Sequence, residues 1–180
     1  MSSSGLSRRD FARGAALAAL GAPLLAGIPR QLFAQTAQHE EDIHRDAESI
    51  HQVVTFAVPP KRVYETLTDP VTFSAVTKFS MVPAAPPATM ERGAGGALSL
   101  FGGYITGRHI ELVPGKRVVQ VWRSVSWDAA HYSIARFELA ASTEGTTLTF
   151  DHTGFPKGQA QHLVDGWYAN YWNPMRKYFR

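Results

Sequence analysis

Cysteine is absent from all 180 residues. Disulfides, thiolate-held zinc, a cysteine nucleophile and a thiol redox relay are therefore excluded, and an apolar core has to hold the fold unaided. An excess of one charge is also missing once the chain is divided. The formal charge is +3, but residues 1–37 hold Arg8, Arg9, Arg13 and Arg30 against a single acid, Asp10. Residues 38–180 carry fourteen basic and fourteen acidic residues. Nothing steers such a surface onto phosphates, so nucleic acid is not expected as a partner. Long apolar runs are lacking too. The Ala/Leu/Gly stretch from Gly14 to Gly27 is too short to span ~30 Å of hydrocarbon at ~1.5 Å per residue. No serine-nucleophile elbow, P-loop or dinucleotide fingerprint occurs. Gly93-Ala94-Gly95-Gly96 reads as a turn with no helix behind it to hold phosphate, and no cofactor is expected. His131, His152 and His162 lack ligand spacing within any one element, so no metal is expected either.

What is present begins with an address. Ser7-Arg8-Arg9-Asp10-Phe11 matches the twin-arginine consensus, with the mildly apolar run behind it and small residues at Ala34 and Ala37 for a peptidase. Residues 1–37 are read as a signal peptide cut after Ala34 or Ala37. The expected location is the periplasm or another exported compartment, with Arg8, Arg9 and Phe11 as the export signal and the twin-arginine machinery as a partner. Residues 38–48 are charged and poor in apolar side chains, a solvated linker in which His39 and His44 have no fixed geometry.

Residues 49–180 read as one α+β domain. Alternation over Ile50–Val58 predicts a strand with Val54, Phe56 and Val58 on one face. Pro59-Pro60 stops it, and a helix runs from Lys61 to Thr68. Asp69 is placed to cap a second short helix running to Lys78. A proline-rich loop over Pro83–Pro87 leads to strands at Ala97–Phe101, Tyr104–Val113, Lys116–Trp127, Ala130–Ala141 and Thr146–Thr153, with turns short enough to force antiparallel pairing. Gln159–Phe179 predicts one long helix with an aromatic stripe and a kink at Pro174. Trp122 and Trp127 lie five apart on a single predicted strand. They should point to opposite faces, one into the core and the other into an exposed patch or a homodimer contact.

Several segments carry a resemblance. Val54 through Pro70, Gly102-Gly103-Tyr104-Ile105-Thr106-Gly107, Glu111 through Arg123, Phe137-Glu138-Leu139, Leu148 through Pro156 and His162 through Met175 arrive in the order seen in the START-like (SRPBCC) superfamily. The chain resembles in particular its branch of activators of a heat-shock-protein ATPase. The resemblance implies a helix-grip fold: a curved antiparallel sheet around a long C-terminal helix, with two short helices after the first strand. It also implies a cavity between sheet and helix. Strand phase then sends His131, Ser133, Ala135 and Phe137 inward on one strand and Phe150 and His152 on the next, with Asp151 pointing away. Facing them are Trp167, Tyr168, Tyr171 and Trp172, with Phe101 at the end of its strand. These eleven side chains are the expected lining of a pocket for a hydrophobic or aromatic small molecule, with His131, His152 and Tyr168 as polar anchors. Two alternatives stay open: a small cyclase-, dehydratase- or hydrolase-like enzyme using His131 or His152, and an interaction module with a filled core. An acid on His152 would favour the enzyme, and an empty apolar cavity the carrier.

Overall fold

The structure, a computed structural model, describes residues 47–180. The expected signal peptide and nearly all of the linker lie outside the described residues. The domain is a seven-stranded antiparallel sheet in the order β1-β7-β6-β5-β4-β3-β2. Its strands are β1 (Glu48–Phe56), β2 (Thr89–Met90), β3 (Ala97–Leu100), β4 (Ile105–Val113), β5 (Arg117–Ser124), β6 (Ser133–Ser142) and β7 (Gly145–Phe155). Two short helices, α1 (Pro60–Thr68) and α2 (Pro70–Thr77), come after β1. The C-terminal helix grips the concave face as α3 (Ala160–Trp167), a π turn (Tyr168–Trp172) and α4 (Asn173–Tyr178). This is the expected helix-grip arrangement.

Local chemistry explains the boundaries. Each short helix opens on a proline at its first position, where no backbone N–H is needed. The Asp69 carboxylate accepts from both the Thr72 N–H and the Thr72 hydroxyl at 2.8 Å, and these bonds hold its carboxyl below the usual range. Along the long strands the side chains alternate in the expected phase. Val54 and Phe56 are buried while His51, Val53 and Thr55 are exposed. Ser133, Ala135, Phe137, Leu148, Phe150 and His152 all face the core. Asp151 points the other way, where it meets His51 at 2.6 Å on the outer face.

Three expectations need correction. The strand predicted to end at Phe101 stops one residue earlier, because Phe101 adopts φ +51° and leads into Gly102 and Gly103, also at positive φ. A left-handed phenylalanine is a strained conformation, and the sharp turn swings its ring toward the C-terminal helix. The strand predicted through Trp127 ends at Ser124. Trp127 therefore escapes the alternation and folds back beside Trp122, with ring centroids 5.4 Å apart. Both tryptophans are buried, and neither supplies an exposed patch.

The third correction concerns the long helix. Pro174 cannot donate to the Asn170 carbonyl, and in place of a simple kink the helix widens: the Asn173 N–H reaches back five residues to Tyr168. The extra residue per turn alters the phase. Trp167, Tyr171 and Trp172 all turn inward, whereas Tyr168, expected among them, is 37% exposed.

Candidate functional site

The described core is densely aromatic. Trp167 sits at its centre, 4.3 Å from Phe150, 4.2 Å from Tyr171 and stacked on Trp172 at 5.4 Å, centroid to centroid. His152 lies among these rings with no solvent exposure, and its hydrogen bonds define its state. The Trp167 indole N–H donates to His152 Nδ1 (3.1 Å), and His152 Nε2 lies 2.7 Å from the Ser133 hydroxyl. Ser133 spends its own proton on the Trp122 carbonyl (2.9 Å), so its oxygen accepts from Nε2–H. The ring is thus a neutral tautomer with both nitrogens satisfied. Burial drives its pKa from 6.5 down to about 3. A second proton would have to go on Nδ1, pointing directly at an indole N–H.

His131 lies at the rim of the same layer, where Nε2 donates to the Gly154 carbonyl at 3.0 Å. Trp172 Nε1 donates to Gln52 at 2.8 Å, tying helix to β1. The expected anchors therefore do not converge on one empty space. His152, Ser133, Ala135, Phe137, Phe150 and Trp172 are packed core, His131 is turned to backbone, and Tyr168 faces outward.

The empty space lies one step along the helix. A cavity of about 530 Å³ opens between α3, the π turn, the β4–β5 end of the sheet and the segment after α2. Of the expected lining residues, Phe101, Trp167 and Tyr171 form its wall. Trp122, Trp127, Ile105 and Leu163 add apolar surface, and Met81, Val82 and Tyr104 rim it with exposed apolar side chains. Gly166 contributes bare backbone. A β-carbon built there meets nothing within 4 Å, so the helix leaves a side chain's worth of room on that side.

Most polar groups on the wall are already engaged. Asn170 accepts from the Met81 N–H (3.3 Å) and donates to the Gly166 carbonyl (3.1 Å). Ser124 and Ser126 bond each other at 2.8 Å, and Asp165 accepts from Gln161. Two groups are not. The Trp122 indole N–H and the Tyr171 hydroxyl are sealed from water and make no hydrogen bond. They come near enough for the indole to oppose slightly the strong upward push that burial gives the Tyr171 phenol, yet the geometry falls short of a bond. Among the described residues, no group of His, Asp or Glu side chains is arranged to hold a metal.

The sequence missed this cavity for identifiable reasons. Ser124-Val125-Ser126-Trp127-Asp128 has turn composition, a signal that the strand ends before Trp127 and that alternation cannot run through it. A glycine inside a helical pattern, Gly166, was the other available sign.

Comparison with known proteins is consistent with this architecture. The family described as Activator of Hsp90 ATPase homolog 1-like protein matches residues 57–180. An uncharacterized protein of Schizosaccharomyces pombe is 32% identical over 131 residues, 72% of this chain and 37% of that protein. The human activator of 90 kDa heat shock protein ATPase homolog 1 is 27% identical over 125 residues, 69% of this chain and 35% of that protein. The chain thus spans a little over a third of the length of these curated relatives. The crystal structure of an HSP90 activator from Plasmodium falciparum superposes with a TM-score of 0.59 at 24% identity, covering 69% of this chain and 89% of that one. That likeness bears on the fold. By its sequence match and its helix-grip architecture, the chain belongs to the Activator of Hsp90 ATPase homolog 1-like family of START-like domains.

Proposed function

We propose that this protein is an exported binding protein for a hydrophobic or aromatic small molecule, held between the C-terminal helix and the β4–β5 end of the sheet, without chemistry of its own. One observation carries the reading: a cavity of about 530 Å³ walled by aromatic rings, beside a core whose large side chains are fully buried. Interiors pack to crystal-like density, and an apolar space large enough for a multi-ring molecule is not a packing fault. Burial returns roughly 25 cal/mol per Å² of apolar surface, enough for micromolar affinity after ordering costs. The exposed apolar rim at Met81, Val82 and Tyr104 gives such a ligand a favourable approach.

The enzyme alternative loses support from the same geometry. His152 has no acid partner, and its Nδ1 lone pair is occupied by Trp167; a base must have a free lone pair within reach of substrate. The human relative's name concerns a heat-shock-protein ATPase, and this chain matches about a third of that protein; that activity is not transferred with the fold.

Gly166→Leu tests the pocket. Gly166 lines the cavity and a β-carbon there meets nothing within 4 Å, so the fluorescent probe N-phenyl-1-naphthylamine should bind the native protein and lose at least tenfold in affinity for the variant. Stability should hold or rise by roughly 0.5–1 kcal/mol, because glycine is a poor helix former. Equal binding by both proteins, or none by the native one, would remove the proposal.

Export is proposed from Arg8, Arg9 and Phe11. Changing both arginines to lysine should leave the precursor inside the cell, as read by fractionation, and unchanged accumulation outside would sink this part of the reading.

A further inference from the structure

Resting on the small-molecule reading above, we infer that the mouth of the cavity selects for positive charge. The Asp165 carboxylate receives the cationic head of an otherwise apolar ligand, a quaternary or protonated amine carried on a hydrophobic body.

The cavity wall is divided by depth. Ile105, Leu163 and Trp127 are buried, whereas Tyr104, Ser126, His162 and Asp165 are exposed. A ligand therefore puts its apolar body inward and its polar head at the mouth. The polar groups waiting there are unequal. Asn170 already spends its carboxamide oxygen on the Met81 N–H and its amide on the Gly166 carbonyl, and the Ser126 hydroxyl is bonded to Ser124. Asp165 has capacity left. A carboxylate offers about four lone-pair sites, and Gln161 takes one, at Oδ1. The next residue, Gly166, has no side chain, and a β-carbon there would meet nothing within 4 Å. A head group therefore has room beside the helix at this point.

Charge decides what the head can be. Asp165 is the one carboxylate on the wall, and no lysine or arginine lines it. The nearby Arg123 is turned to the Trp127 and Asp128 carbonyls. His162, three residues before Asp165 on the same helix, is the one base at the mouth. An imidazole carries charge only when protonated, and in its neutral form it can accept a hydrogen bond from an ammonium as well as donate one. An anionic head would meet a like charge with no lysine or arginine to offset it. A cationic head gains the carboxylate. Aromatic rings also attract cations through their faces, which aliphatic walls do not, and Phe101 and Tyr104 supply rings on the accessible part of the wall.

Three naphthalenes test this: trimethyl(2-naphthylmethyl)ammonium, its uncharged carbon isostere 2-neopentylnaphthalene, and 2-naphthylacetate. Each displaces N-phenyl-1-naphthylamine from the native protein, Asp165→Asn and His162→Gln at pH 8 and low salt. Both substitutions are at exposed positions and should leave the fold standing. On Asp165→Asn the cation should lose about fivefold in affinity, a moderate effect because the carboxylate is exposed, while the isostere stays within about twofold. The native protein should bind the cation at least about fivefold more tightly than the anion, and His162→Gln should leave the cation ahead. A further measurement needs no variant: raising the salt about tenfold should weaken the cation and not the isostere. Equal changes for cation and isostere on Asp165→Asn, a cation indifferent to salt, or an anion that binds best would each overturn the cationic seat while leaving a hydrophobic pocket intact. If neither N-phenyl-1-naphthylamine nor the isostere binds the native protein, the small-molecule reading falls, and this inference falls with it.

Discussion

Trp167→Ala should lower the unfolding free energy by about 3–5 kcal/mol. The indole is 2% exposed and touches the rings of Phe137, Phe150, Tyr171 and Trp172. Alanine there removes those contacts and joins the resulting void to the neighbouring cavity. It also strips His152 Nδ1 of its donor, leaving a buried acceptor to be satisfied by whatever water can reach it. Tyr168→Ala, one residue further along the same helix, is the control. Its ring is largely outside the core, and the change should cost within about 1 kcal/mol. Denaturant midpoints at constant slope measure both. If the two variants prove equally costly, the π turn does not set the phase described above.

The second large effect is on pH. In the folded protein His152 stays neutral down to about 3, because burial penalises its cation, whereas in the unfolded chain it titrates near 6.5. Above that value both states hold the same protons and the group adds no slope. Below it the unfolded chain takes up a proton that the folded one refuses, so stability present at neutral pH is lost as the solution is acidified toward the folded value. The slope approaches 1.4 kcal/mol per pH unit, giving a loss of about 1.5–2 kcal/mol between pH 6.5 and 5. His109, buried in β4 with neither ring nitrogen partnered, is shifted downward for the same reason and adds in the same direction. His152→Gln should flatten the dependence over that interval by the share of one histidine, leaving that of His109. Urea unfolding at fixed ionic strength, repeated at pH 7, 6 and 5, reads the difference. Parallel curves for the native protein and His152→Gln would contradict the assignment of a neutral, sealed ring.

Much of the fold could be read directly from the chain because its long strands alternate cleanly and its helices carry explicit punctuation. Val54 and Phe56, or Leu148, Phe150 and His152, have only one face on which to sit, and Asp69 before Pro70 announces a helix start. The candidate site was legible only in part. Phase predicts which side chains face inward, but it does not say which inward side chains touch one another and which border a space. His152 and Tyr171 both point inward; the first is enclosed by Ser133 and Trp167, the second borders the cavity. The features that make that difference are local departures from regularity: the left-handed Phe101, the strand that ends at Ser124, and the wide turn before Pro174. Periodicity is blind to such departures, since each shifts the phase of the residues after it.

β1 pairs only with β7, Val54 opposite Leu148 and Phe56 opposite Thr146. Chain growth is vectorial, so the first strand of the domain is made roughly a hundred residues before its only partner in the sheet. While the ribosome is still at work, Val54 and Phe56 have no Leu148 to pair beside and no Trp172 to cover them. Closing so long a loop is also slow compared with forming a helix or a hairpin. The sheet can therefore be closed, and its gripping helix seated, only after residues 145–178 have been made. A nascent chain cut short before β7 should be unable to reach this fold. Under the proposed export, machinery that accepts only folded cargo would have to wait until that point.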